Sequence, residues 1–244
     1  YKYSFTGQVI GNRGYWIPGS QVTASPSALN TALSGYNGAF SLYFTDTITV
    51  SVAVSDTRFS ALPPAKDVAI TGDRSGWLFV LPPADDMMTN GNFENGLQGW
   101  STGGSPDLAV VTNVGHTGDY ALCRKMGNPS AGHLSQAVAN PLTANEPTLS
   151  WMYVVSGTTS TEGGLKVSVQ GASRSITTVV PLTVTEWTHY WLDLAPLAGE
   201  SVTITFELQP TTPLGTGVLL DEVSLGQGNR EPSTVFLPTV MRNW

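Results

Sequence analysis

Between Thr47 and Val54 the chain alternates without a break. Ile48, Val50, Val52 and Val54 fall on one side, and Thr47, Thr49, Ser51 and Ala53 on the other. A period of two predicts a half-buried antiparallel strand. The same period returns at Val202, Ile204, Phe206 and Leu208. Shorter apolar runs bounded by turn residues predict further strands at residues 4–10, 17–24, 39–44, 67–70 and 76–81. Later ones fall at 149–155, 164–170, 174–180, 188–194 and 218–225. No stretch predicts a helix longer than a turn. About seven strands before residue 84 suit an Ig-like sandwich. About eight or more after it suit a jelly roll. Pro82 and Pro83 form a short stiff joint between them. The expected organisation is all-β: an Ig-like sandwich over 1–84, a jelly-roll sandwich over 85–227, and an extended C-terminal tail over 228–244.

Composition agrees with that pattern. The 244 residues are 41% hydrophobic, enough for two cores, and only 12% charged, about half the ~25% of ordinary globular chains. Glycine, proline, serine and threonine take the place of charge and favour short strands and turns. Eleven basic against 18 acidic residues give a net charge of −7. Such a surface repels phosphate backbones and argues against nucleic acid as a partner. No apolar run is long enough to span a membrane as a helix. The single cysteine, Cys123, alternates with apolar neighbours and reads as a small buried hydrophobe. A first residue that is not methionine fits a mature secreted chain, and equally a trimmed one. The expected location is extracellular or at the cell surface.

Two resemblances follow from the motifs. Gly7-x-Val9, then Ile17-Pro18-Gly19-Ser20-x-Val22, then Asn37-Gly38-x-Phe40-Ser41-Leu42, resembles the carboxypeptidase-regulatory-like (transthyretin-like) Ig fold. That implies a non-catalytic spacer or adhesion element. Tyr15 and Trp16 sit beside one of its turns and are expected to pack over the end of the sandwich. The second half carries Asn92-Phe93-Glu94-x-Gly96-x-x-x-Trp100, His116-Thr117-Gly118-Asp119-Tyr120-Ala121-Leu122, Trp187, and Leu220-Asp221-Glu222-Val223. In that order these resemble the galactose-binding-like jelly roll, shared by carbohydrate-binding modules and accessory domains of secreted bacterial proteins. The resemblance implies a structural calcium ion. Glu94 and Asp221 match the family's carboxylate positions, and Asn92, Thr117 and Asp119 lie in the segments that would complete the shell.

A sugar site needs exposed aromatic faces beside polar side chains. Along 188–194, Tyr190, Leu192 and Leu194 share one face, and His189, Trp191 and Asp193 the other. With the first face in the core, Trp191 and His189 form the expected platform, with Met152 on a neighbouring strand. Trp100, Trp151, Tyr153 and Trp187 are expected in the core. The tail presents Val235, Phe236, Leu237, Pro238, Val240, Met241 and Trp244. It resembles the Leu-Pro-x-Val-type terminal segment on secreted proteins of some filamentous bacteria. An apolar extended terminus of this kind docks on its own sandwich or on the sheet edge of a neighbouring copy.

Catalytic signatures are missing. His116, His133 and His189 show no metal-ligand spacing, and no nucleophile elbow, zinc helix or phosphate loop occurs. The expected protein is therefore not an enzyme. Its first reading is a self-assembling subunit of a surface fibre, filament or envelope layer, with copies of itself as partners. The alternative is a carbohydrate-binding accessory module whose partner is a polysaccharide.

Overall fold

The computed structural model describes residues 1–26, 30–103, 108–112, 116, 120–124, 133–209, 211 and 216–229, with the main chain alone for 108–112 and 120–124. Thr117, Asp119 and the tail residues Val235, Phe236, Leu237, Pro238, Val240, Met241 and Trp244 lie outside the described residues.

Strands β1 (Tyr3–Gly11), β2 (Gln21–Ser25), β3 (Thr31–Leu33), β4 (Ala39–Phe44), β5 (Ile48–Ser55), β6 (Lys66–Ile70) and β7 (Arg74–Leu81) form the N-terminal sandwich. Its sheets run β4-β1-β7 and β3-β2-β5-β6. β1 pairs β4 antiparallel and β7 parallel. The strict alternation of β5 buries Val50, Val52 and Val54 between the sheets. They meet Phe5, Phe40 and Phe79 from the opposite layer in one core.

The C-terminal sandwich comprises β8 (Ser101–Gly103), β9 (Leu108–Thr112), β10 (Tyr120–Arg124), β11 (His133–Val138), β12 (Pro147–Gly157), β13 (Ser160–Gln170), β14 (Ser175–Leu182), β15 (Thr188–Asp193), β16 (Val202–Leu208) and β17 (Thr216–Gln227). The sheets run β15-β12-β17-β10-β9 and β14-β13-β16-β11-β8. The helical content among the described residues is one 3-10 turn at Ala195–Leu197. Trp151 and Tyr153 on β12 face Val167, Val169, Ile204 and Phe206 of the other sheet.

β12 differs from a one-sided strand. Every residue from Pro147 to Val155 is buried, so both of its faces are covered. One face is the core of its own sandwich. The other meets the N-terminal sandwich, where Met152 packs with Ile10 and Val80. Polar groups tie the same seam. Asn229 donates its side-chain N–H to the carbonyl of Leu81 at 2.8 Å, and its main-chain N–H to Asn12 Oδ1 at 2.7 Å. Arg13 lies over the Trp191 ring at 4.9 Å and reaches Asp193 at 3.4 Å.

The turn that opens the second sandwich is built on Asn90. Its side chain donates to the carbonyls of Gly96 and Gln98 at 3.0 and 3.2 Å, and its Oδ1 accepts the N–H of Asn95 at 3.0 Å. The indole N–H of Trp100 donates to the Asn90 carbonyl at 3.0 Å. Phe93 is fully buried and stacks on Trp100 at 5.4 Å. Asn90 and Phe93 both hold positive φ, 54° and 56°, a conformation these contacts must over-determine.

Candidate functional site

The seam between the sandwiches opens into a cleft of about 280 Å³. One wall is the start of β7, with Asp73, Arg74 and Trp77. The other is His116 with Glu186 and Trp187, just before β15. The floor is aromatic and continuous. Trp77 and His116 stack at 6.3 Å with 28° between their planes, and His116 meets Trp187 at 5.6 Å.

Each member is fixed from behind. Trp77 rests on Phe5 at 5.2 Å, and the Lys66 ammonium lies 4.6 Å from the Trp77 ring centre. His116 is buried, and its Nδ1 is 2.9 Å from Glu222 Oε1. Its main-chain N–H donates to Asp221 Oδ2 at 2.6 Å. Trp187 packs on the Ile10–Val80–Met152 cluster. The rim is polar. Asp73 accepts the main-chain N–H and the hydroxyl of Ser4 at 2.8 and 2.9 Å. These two bonds hold its carboxyl below the ordinary range. Arg74 and Glu186 face solvent, and neither side chain has a hydrogen-bond or ion-pair partner among the described residues.

Beneath the floor lies a buried charged group of residues. Lys66 is buried, and that desolvation lowers its amine to about 8 against the opposing pull of Glu222 and Asp221. Burial likewise lowers His189 to about 4, with Glu222 pulling up and His116 pushing down. His189 is therefore neutral at pH 7. Its unfolded counterpart, near 6.5, takes up a proton as pH falls through the interval 6.5 to 4, and the folded state does not. Folding stability thus falls with pH across that window and is unaffected by this group above it. Urea unfolding of the chain and of His189→Gln is expected to show it. The difference in stability between the two should shift by on the order of 2 kcal/mol between pH 7 and pH 4, in favour of the variant. A constant difference would remove His189 from the account.

The sequence-predicted platform is not open. Met152 has no exposed surface, His189 Nε2 is buried, and Trp191 lies under Arg13. The outward face of β15 and β12 is taken by the chain's own N-terminal sandwich. Trp187, expected in the core, instead stands half-buried in the cleft. Trp100, Trp151 and Tyr153 are in the core as expected. Neither Trp77 nor Trp187 stands out on periodicity alone.

Of the expected calcium residues, Asn92, Glu94 and Asp221 are among the described residues and Thr117 and Asp119 are not. Asn92 and Glu94 sit on the opening turn, where Asn92 Oδ1 accepts the Glu94 N–H at 3.5 Å. Asp221 is fully buried, and its Oδ1 accepts the Glu222 N–H at 2.8 Å while Oδ2 takes that of His116. No three carboxylate, histidine or cysteine groups among the described residues are placed to hold an ion.

No protein-family model matches the chain, and no curated protein matches it. Solved structures do resemble it. TmCBM61, in complex with beta-1,4-galactotriose, is 19% identical over 58% of this chain and 98% of that one, with a TM-score of 0.47. The CBM22-1 xylan-binding domain of Paenibacillus barcinonensis Xyn10C is 18% identical over 58% and 94%, with a TM-score of 0.43. The enzymatically active domain of tailspike protein 4 from bacteriophage CBA120 is 15% identical over 60% of this chain and 22% of that one, with a TM-score of 0.46. Similarity at this level carries no argument about what this chain binds.

Proposed function

We propose that the chain is a non-catalytic extracellular carbohydrate-binding protein that seats a saccharide in the cleft between its two sandwiches. The observation that carries this reading is the aromatic floor of Trp77, His116 and Trp187, set between the solvent-facing guanidinium of Arg74 and carboxylate of Glu186. Sugar rings offer an apolar C–H face and a rim of hydroxyls. An aromatic floor takes the first, and charged rim groups take the second. The floor is held by packing and hydrogen bonds, so little order is lost on binding.

The rim argues for binding and not hydrolysis. A glycosidase needs one carboxyl that keeps its proton near neutrality. Asp73 on this rim is shifted the other way. On this reading the N-terminal sandwich, with its resemblance to the carboxypeptidase-regulatory-like fold, is one wall of the site and not a detached spacer. The self-assembling fibre expected from the tail draws support from no described residue.

Trp187→Ala tests the proposal. Retention on insoluble polysaccharides, with xylan and β-galactan among the probes, is expected to fall about tenfold or more. Trp187→Phe, which keeps a ring over the Met152 cluster, should recover part of it. Equal retention of Trp187→Ala and the unmodified chain would end the cleft reading, provided both unfold at the same urea concentration.

A further inference from the structure

A second aromatic surface lies away from the cleft floor, on the N-terminal sandwich. Tyr15, Trp16 and Tyr36 are 51%, 54% and 86% exposed. Tyr15 and Trp16, expected to pack over the sandwich end, keep about half of their surface open to solvent. Among the described residues few large side chains are so open, and these three come from two turns that the fold locks together.

The lock is Val9 of β1. Its N–H donates to the Gly38 carbonyl at 2.9 Å, and its own carbonyl accepts the N–H of Ile17 at 2.9 Å. One residue thus clamps the turn that carries Trp16 to the turn that carries Tyr36. Ser34 adds a second tie, its hydroxyl donating to the Ile17 carbonyl at 2.7 Å. Each turn is also closed on itself. Gly11 N–H donates to the Tyr15 carbonyl at 2.8 Å, and Gly35 N–H to the Ala39 carbonyl at 2.8 Å. Gly38 holds φ of 70°, and a Cβ there would sit 2.4 Å from the Val9 carbonyl oxygen, so the clamp requires glycine.

The chemistry of the surface is narrow. Residues 14–19 and 33–38 contain no charged side chain. They offer two phenols, an indole, the Asn37 amide and the exposed Leu33. The charge that reaches this turn is the Arg58 guanidinium, which donates to the Pro18 carbonyl and is neutralised by its ion pair with Asp56. Ring faces and neutral hydrogen-bonding tips are what the surface offers a ligand, on a backbone already fixed. That combination fits a neutral saccharide, whose C–H faces stack on aromatic rings and whose hydroxyls meet phenol, indole and amide. We propose that Tyr15, Trp16 and Tyr36 form a second saccharide-binding platform, independent of the cleft. The proposal extends the cleft reading to a second site, and a polysaccharide that reaches both is held more tightly than by either alone.

The test uses the whole chain, the double variant Trp16→Ala/Tyr36→Ala, and Trp187→Ala. Calorimetric titration with soluble xylan and β-galactan oligosaccharides is expected to show two sites in the unmodified chain. One should remain in each variant, and retention on the insoluble polymer should fall about tenfold or more in either. Loss of the single observed site in Trp187→Ala, with no change in the double variant, overturns the platform and leaves the cleft standing. Loss in the double variant alone keeps the platform and overturns the cleft. Absence of binding in every probe overturns both. Sedimentation covers the remaining occupant: self-association of the unmodified chain that the double variant abolishes, with saccharide binding unchanged, makes this a protein interface and overturns the proposal.

Discussion

Gly91→Ala is expected to destabilise the chain by about 3 kcal/mol or more. The reason is a close approach between the opening turn and β17. A Cβ on residue 91 would fall 1.8 Å from the carbonyl oxygen of Val223 and 2.9 Å from its carbonyl carbon. Both are main-chain atoms, so no side chain can turn aside to make room. The approach is needed because Val223 N–H donates to the Gly91 carbonyl at 2.9 Å. To admit a methyl group the turn must lift from β17, and Phe93 and Trp100 sit on the same turn. The urea midpoint measures this. A variant that unfolds at the midpoint of the unmodified chain would show that the turn is not held against β17 at all. Gly96→Ala is the useful contrast. That site has open space around it but a φ of 65°, so its cost should be the strain of a left-handed residue alone, about 1 kcal/mol.

Asp221→Ala is expected to cost roughly 3–5 kcal/mol, the range for breaking a buried charged group by removing one member. Asp221 has no exposed surface and accepts the main-chain N–H groups of His116 and Glu222. It also helps to keep the buried Lys66 charged. Removing it leaves the two main-chain N–H donors without this acceptor and takes away one of the two carboxylates that favour the charged form of Lys66. The pairing with Lys66 crosses from one sandwich to the other, so a double-mutant cycle isolates it. Asp221→Ala combined with Lys66→Met should cost less than the sum of the single changes. Additive costs would mean that the two residues do not interact. The cleft should register the loss as well. His116 is held by Asp221 through its main chain and by Glu222 through its ring, so Asp221→Ala should weaken saccharide binding without touching the sugar.

The residues that disclosed the fold differ from those that built the site. Val50, Val52 and Val54 alternate because one sheet face is dry and the other wet, and a period of two is visible in any single sequence. Phe93, Gly96 and Trp100 were legible for a similar reason, since a turn and its apolar anchors are close in the chain. The cleft was not legible. Trp77 and Trp187 are far apart in sequence, and only the docking of one sandwich on the other makes them neighbours. Docking also reversed the reading of β15. Alternation showed which face of that strand points away from its own core, and Trp191 and His189 do lie there. It said nothing about Arg13, which comes from the other sandwich to cover Trp191. The burial of β12 on both faces corrects the expectation that Met152 belongs to an open platform, because the same docking covers it.

The most direct measurement is the set of indole N–H signals of the chain during titration with a soluble xylan or β-galactan oligosaccharide. Seven tryptophans give one such signal each, and single replacements assign them. The account predicts that the signals of Trp77 and Trp187 move and saturate together, while that of the fully buried Trp151 stays in place. Saturable binding that leaves both Trp77 and Trp187 unmoved would contradict it.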